Sequence, residues 1–178
     1  KMPLTPLFNA TEWFSQFSES NTPIDSKDLQ PILEFTLIWN LFERETGNRY
    51  IRIQGIREHV NRSSNLGKLI RESYEPYLIF LRDRYPQHSE EEFLADHLLS
   101  NSRRNMSRDL EDISILRAVL AGTSSDINNA VYALLFVAYR VRNNLFHGEK
   151  NVYTLHLQKD LFQTVNSLLS TYLDHNQR

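Results

Sequence analysis

The sequence contains no cysteine. Disulfide stapling, thiolate nucleophiles and thiolate metal sites are therefore excluded. An excess of charge of one sign is also missing, since the formal net charge is -2 over 178 residues. That balance argues against a protein that coats long duplexes through many phosphate contacts. It leaves room for local positive charge at a site acting on a short single strand. No stretch holds the roughly eighteen consecutive apolar residues of a membrane-spanning helix, so no membrane partner is expected. The start Lys1-Met2-Pro3-Leu4-Thr5-Pro6 lacks the apolar run and small-residue cleavage site of a signal peptide. These absences make the cytoplasm the expected location. No phosphate-binding Gly-x-x-x-x-Gly-Lys-[Ser/Thr] loop and no His-Glu-x-x-His segment occurs. His59, His88, His97, His156 and His175 show no metal-ligand spacing, so neither metal nor cofactor is expected.

What is present is apolar and helical in rhythm. Hydrophobic residues make up 40% of the chain and aromatics 11%, enough to build a packed core. No repeat, low-complexity tract or composition shift divides it. A single all-α domain over residues 1–178 is expected, with core helices at about 28–46, 68–85, 127–147 and 159–174.

Local signals fill in the rest. Asn9 with Glu12, and Ser89 with Glu92, resemble capping boxes. In the first strong helix Leu33, Leu37 and Leu41 sit four apart, while Phe35, Trp39 and Phe42 widen the stripe beyond one face. That breadth predicts packing on several sides. Pro31 fits only near the first turn, and Gly47-Asn48 is a C-terminal stop. Tyr50, Ile51 and Ile53 suggest an extended piece before a short helix at Arg57 to Asn61. Pro76 should bend or break the helix around it. Ser100 to Arg108 reads as a polar, basic loop, followed by a short helix from Leu110 to Leu120 that Gly122 stops. The alternation Tyr153-Thr154-Leu155-His156-Leu157 suggests a short strand. In the last helix Leu161, Val165, Leu168, Leu169 and Tyr172 should face inward.

The most informative stretch closes the long helix that begins near Ile127. Ala130, Leu134, Val137, Val141 and Leu145 trace one apolar face, and Leu135, Phe136, Ala138 and Tyr139 broaden it. Polar chemistry then crowds in: Arg140, Arg142, Asn143, Asn144 and His147, with Gly148 as a stop. Arginine and histidine at a helix C-terminus also serve as ordinary caps of carbonyls and dipole. Asn143 and His147 share a face at a spacing of four. Arg142 and His147 are five apart, which separates them by roughly 140° on an ideal helix. They converge only if the last turn loosens, if the side chains curl together, or if a second copy completes the site.

The run Arg142-Asn143-Asn144-Leu145-Phe146-His147 resembles the Arg-x(4-6)-His signature of the HEPN superfamily, in its Arg-Asn-x-x-x-His form. The resemblance covers the motif helix closely and the rest of the chain in architecture alone. It implies a HEPN-like helical bundle, a homodimer with facing motifs, and a metal-independent endoribonuclease of single-stranded RNA. Such proteins serve as toxins or antiviral defence effectors, with a cognate inhibitor protein as a further partner. In that scheme His147 is general base or acid and Arg142 binds the scissile phosphate. Asn143 orients His147 or the phosphate. Arg140 and Asn144 lie beside the substrate, Tyr139 stacks on a base, and Arg103, Arg104 and Arg108 guide the backbone. Tyr139 could equally be core, the three arginines a solvated loop, and Glu43 and Glu45 partners of Arg44. Two other functions fit the same residues: an RNA- or nucleotide-binding HEPN module that does not cut, and a structural helical domain that binds proteins.

Overall fold

The computed structural model describes residues 9, 12, 13, 16, 25–47, 51–85, 106–146 and 152–177. Within them the chain forms six α-helices and one 3-10 segment, and no strand. We number them α1 (Ser26–Glu45), α2 (Ile53–Asn65), α3 (Arg71–Arg84), α4 (Met106–Leu120), α5 (Ile127–Phe146) and α6 (Lys159–Gln177), with the 3-10 segment Val152–Gln158 running into α6. The all-α expectation therefore holds. No helix among the described residues is long and apolar enough to cross a membrane.

The core forms around α5. Every residue from Ala130 to Ala138 is buried, so this helix is apolar all round and must be enclosed on all sides. Helices α2, α3, α4 and α6 all pack against it. Helices α1 and α6 lie side by side in the same direction. Lys159 pairs with Asp28 at 3.0 Å near their starts, Phe35 meets Phe162 with ring centroids 5.5 Å apart, and Phe42 meets Tyr172 at 6.0 Å. Helix α3 runs against α6, with Tyr77 on Thr171 and Tyr74 on His175. Arg71 at the start of α3 donates to the Ser125 carbonyl just before α5 (2.9 Å). The start of α5 thus lies at the end of the bundle where α6 finishes. Its C-terminus lies at the other end, about 30 Å away at 1.5 Å per residue.

Several local expectations meet corrections. Helix α1 begins at Ser26, because the Asp25 carboxylate accepts from the Lys27 N–H (2.9 Å) and caps it. Pro31 therefore lies in the second turn and not the first. Its own carbonyl is taken by the Asn166 amide at 2.8 Å. The buried face of α1 is Ile32, Phe35, Trp39 and Phe42, whereas Leu33, Leu37 and Leu41 are exposed, Leu37 to 72%. The aromatic stripe wins the core because each ring removes more area from water than a leucine does. Helix α2 starts at Ile53, absorbing part of the expected extended piece, and α4 starts at Met106 inside the expected loop. Helix α3 runs through Pro76 without a break. Pro76 is exposed, so the Glu72 carbonyl it leaves unbonded can face water. The expected strand around Tyr153 to Leu157 is the 3-10 segment, in which Leu155 is buried and Leu157 is exposed.

Other expectations hold. Asn9 accepts from the Glu12 N–H at 3.2 Å, half of a capping box. Gly47 and Gly122 stop α1 and α4 with φ of 84° and 74°, where a side chain would be strained. The five inward positions expected in α6 are all buried. The second capping box at Ser89 and Glu92 falls outside the described residues.

One polar cluster ties α2, α4 and α5 together. Arg57 donates to Glu111 and Asp112, and the Tyr132 hydroxyl donates to the same Asp112 oxygen. The guanidinium lies 4.9 Å from the Tyr132 ring centroid. Asp112 is 7% exposed in its side chain, so its charge depends on these partners.

Candidate functional site at the end of the central helix

The last two turns of α5 emerge from the core carrying the sequence motif. Tyr139 is half-buried and packs on Trp39, with ring centroids 6.3 Å apart. Of its two readings, core packing is the one this contact favours. Val141 is fully buried and Asn144 is 6% exposed, so that face of the helix still belongs to the interior. Arg140 is half-buried and already engaged by neighbouring groups.

Arg142 is held differently. Its Nη1 donates to the Asn143 Oδ1 at 3.2 Å. Its guanidinium carbon sits 5.3 Å from the centroid of Phe146, one turn further on. Its Nε is buried and has no hydrogen-bond partner among the described residues. No carboxylate pairs with it there either. A buried donor left unpaired costs about 1–3 kcal/mol, and the positive charge adds to that demand for an acceptor. The site thus combines a positioned cation, unmet donor capacity and an aromatic platform.

Asn143 is brought to Arg142 rather than shown beside His147, which lies outside the described residues with Gly148. Arg103 and Arg104 also lie outside them. Arg108 falls within α4, on a different helix from the motif. The aromatic side chain that the motif presents to solvent is Phe146, 53% exposed, whereas the sequence offers Tyr139 both as a stacking residue and as core. The signal was available: Phe146 stands four residues after Arg142, the spacing that stacks a cation on a ring along one helix face. Among the described residues no three His, Asp or Glu side chains converge as metal ligands would.

Fold and site together define an all-α bundle whose enclosed central helix carries, in its last turns, an arginine with no carboxylate partner among the described residues, over an exposed ring. The chain matches no family model, no curated protein and no solved structure.

Proposed function

We propose that the protein is a HEPN-type endoribonuclease that cleaves single-stranded RNA without a metal ion, working as a homodimer. The observation that carries this reading is Arg142, a guanidinium fixed by Asn143 and Phe146 with donor capacity that no described side chain fills. A phosphate group is the natural acceptor for such a cation. The exposed Phe146 ring beside it offers a surface for an unstacked base.

In the reaction, the 2'-hydroxyl of the substrate attacks the adjacent phosphorus and the bond to the 5'-oxygen breaks. Arg142 binds the phosphate and the charge that builds on it. One imidazole takes the proton from the 2'-hydroxyl and another delivers a proton to the departing 5'-oxygen. Two facing copies of His147 supply both. That arrangement also removes the difficulty that Arg142 and His147 stand five apart on one helix. The products are a 2',3'-cyclic phosphate and a 5'-hydroxyl. A toxin or defence role, held in check by an inhibitor protein, follows from the same reading.

The test is cleavage of single-stranded RNA in the presence of a chelator, with the native chain, His147→Ala and Arg142→Ala. Loss of at least a hundredfold in rate is expected for each variant, the order of magnitude for removing a charge-stabilising or proton-transfer group. Equal cleavage by the native chain and His147→Ala would sink the mechanism. RNA binding without cleavage would instead favour a non-catalytic module built on Arg142 and Phe146.

A further inference from the structure

A cavity of about 210 Å³ opens at the other end of the bundle, between the end of α1, the second half of α2 and the end of α6. Its floor is a chain of hydrogen bonds. The Asn176 amide donates to the Tyr172 carbonyl at 2.8 Å, which turns its Oδ1 toward Ser63, and the Ser63 hydroxyl donates to that oxygen. The Tyr172 hydroxyl lies 2.6 Å from His59 Nδ1 and 3.2 Å from the Ser63 oxygen. Burial pushes the Tyr172 hydroxyl up to about 12, so it keeps its proton and can donate to Nδ1. His59 then carries its own proton on Nε2, which has no hydrogen-bond partner among the described residues.

The wall is positive. Arg62 and Lys68 both line the cavity, and neither has a carboxylate partner among the described residues. Among the described residues Lys68 donates to the Asn176 main-chain carbonyl (2.8 Å), at the C-terminal end of α6, and to no carboxylate. Among the described residues one acidic side chain lines the cavity, Glu45, and its carboxylate lies 3.8 Å from the neighbouring Arg44. His59 registers the imbalance. Burial first, and then the Arg62 and Lys68 charges, lower its pKa below the usual imidazole value.

We infer that this cavity is a binding site for a small phosphomonoester, whose phosphate is received by Arg62, Lys68 and the His59 ring. Two cations without a carboxylate partner among the described residues, beside hydroxyl, amide and imidazole groups, match a tetrahedral anion with several acceptor oxygens. The volume admits a phosphate and a small organic group but not a nucleic-acid strand. The site is separate from Arg142 and does not depend on the proposed RNA cleavage.

The experiment titrates the full chain near pH 7, at constant ionic strength, with glycerol 3-phosphate, inorganic phosphate and uncharged glycerol. Calorimetry gives the affinity, and the His59 ring resonances report on the site. Saturable 1:1 binding of glycerol 3-phosphate with Kd below about 1 mM is expected, with none of glycerol. Arg62→Gln should weaken it about tenfold, and Lys68→Gln similarly. The bound anion should raise the pKa of His59, because it cancels the two charges that hold it down. Arg62 is exposed, so its variant tests binding without threatening the fold. No saturable binding, or binding unaffected by both Arg62→Gln and Lys68→Gln, would each overturn the assignment. Stronger binding of inorganic phosphate than of its glycerol ester would overturn the organic part of the ligand.

Discussion

Arg57 and Arg142 each lie over an aromatic ring, at 4.9 Å and 5.3 Å, and they are otherwise opposites. Arg57 is closed in by Glu111 and Asp112, and Asp112 in turn by Tyr132. Burial works against its charge, but these bonds more than offset the loss and hold its pKa above the ordinary value. Arg142 has one amide oxygen and one unpartnered Nε among the described residues. The first cluster satisfies itself and binds three helices together. The second stays unsatisfied among the described residues, near the end of a helix whose stretch from Ala130 to Ala138 is enclosed in the core. A closed cluster should affect stability when broken, and an open one should affect ligand binding.

The largest expected effect on stability is therefore at Asp112. Asp112→Ala removes the shared acceptor of Arg57 and Tyr132 and leaves the phenol buried without a partner. A loss of about 2–3 kcal/mol is expected in urea unfolding, below the full range for a broken buried pair because Glu111 still holds Arg57. A loss under about 1 kcal/mol would mean that the cluster is not closed in solution. The double change Arg57→Met with Asp112→Leu should recover much of the stability, since the one charge it leaves without its partner, Glu111, is exposed.

Arg142→Met supplies the contrasting case. It removes the buried, unpartnered Nε together with the cation–ring contact to Phe146, two effects of opposite sign, so stability should not fall by more than about 0.5 kcal/mol. RNA binding should weaken by tenfold or more in the same protein. A stability loss as large as that of Asp112→Ala would show that Arg142 is a structural cap and would break the comparison.

The two clusters differ as much in how far the sequence reveals them. Helices α5 and α6 were legible because their apolar residues recur at three and four over many turns. Those repeats were long enough to fix both length and inward face. Helix α1 was legible as a helix but not in its orientation. It carries two competing stripes, and only tertiary packing decides that the aromatic one is inside. Helix α2 was nearly illegible: its buried positions are Ile56, Val60 and Ser63, two apolar residues and a hydroxyl. The candidate site at Arg142 could be read because it is consecutive in sequence and resembles a known motif. The Arg57 cluster and the cavity around His59 could not. Each is assembled from side chains tens of residues apart, and Tyr172 looks like core until its hydroxyl is placed beside His59. The strand expected at Tyr153 to Leu157 failed for a simpler reason, since a few alternating residues do not separate an extended segment from a tight helix.

The smallest effect should appear as a pH dependence, and it extends the contrast to the second open cluster. His59 has its pKa lowered by burial and by Arg62 and Lys68, while Tyr172 stays neutral and Glu45 is engaged with Arg44. In the unfolded chain the imidazole takes up its proton near 6.5, the ordinary value. As pH falls through that value the unfolded state binds a proton that the folded state still refuses. Stability therefore declines between about 6.5 and the lower folded pKa, and levels off below it. His59→Gln should flatten that part of the profile while leaving carboxylate titration at lower pH unchanged. Unfolding midpoints measured at closely spaced pH values from about 7.5 downward test this. The Arg57 cluster shares no residue with the His59 cavity, so Asp112→Ala should shift the whole profile down without changing its slope there. A profile already flat in the native chain, or one whose slope survives His59→Gln, would show that the Arg62 and Lys68 charges are screened by solvent. The cavity would then be no more open to an anion than any exposed basic surface.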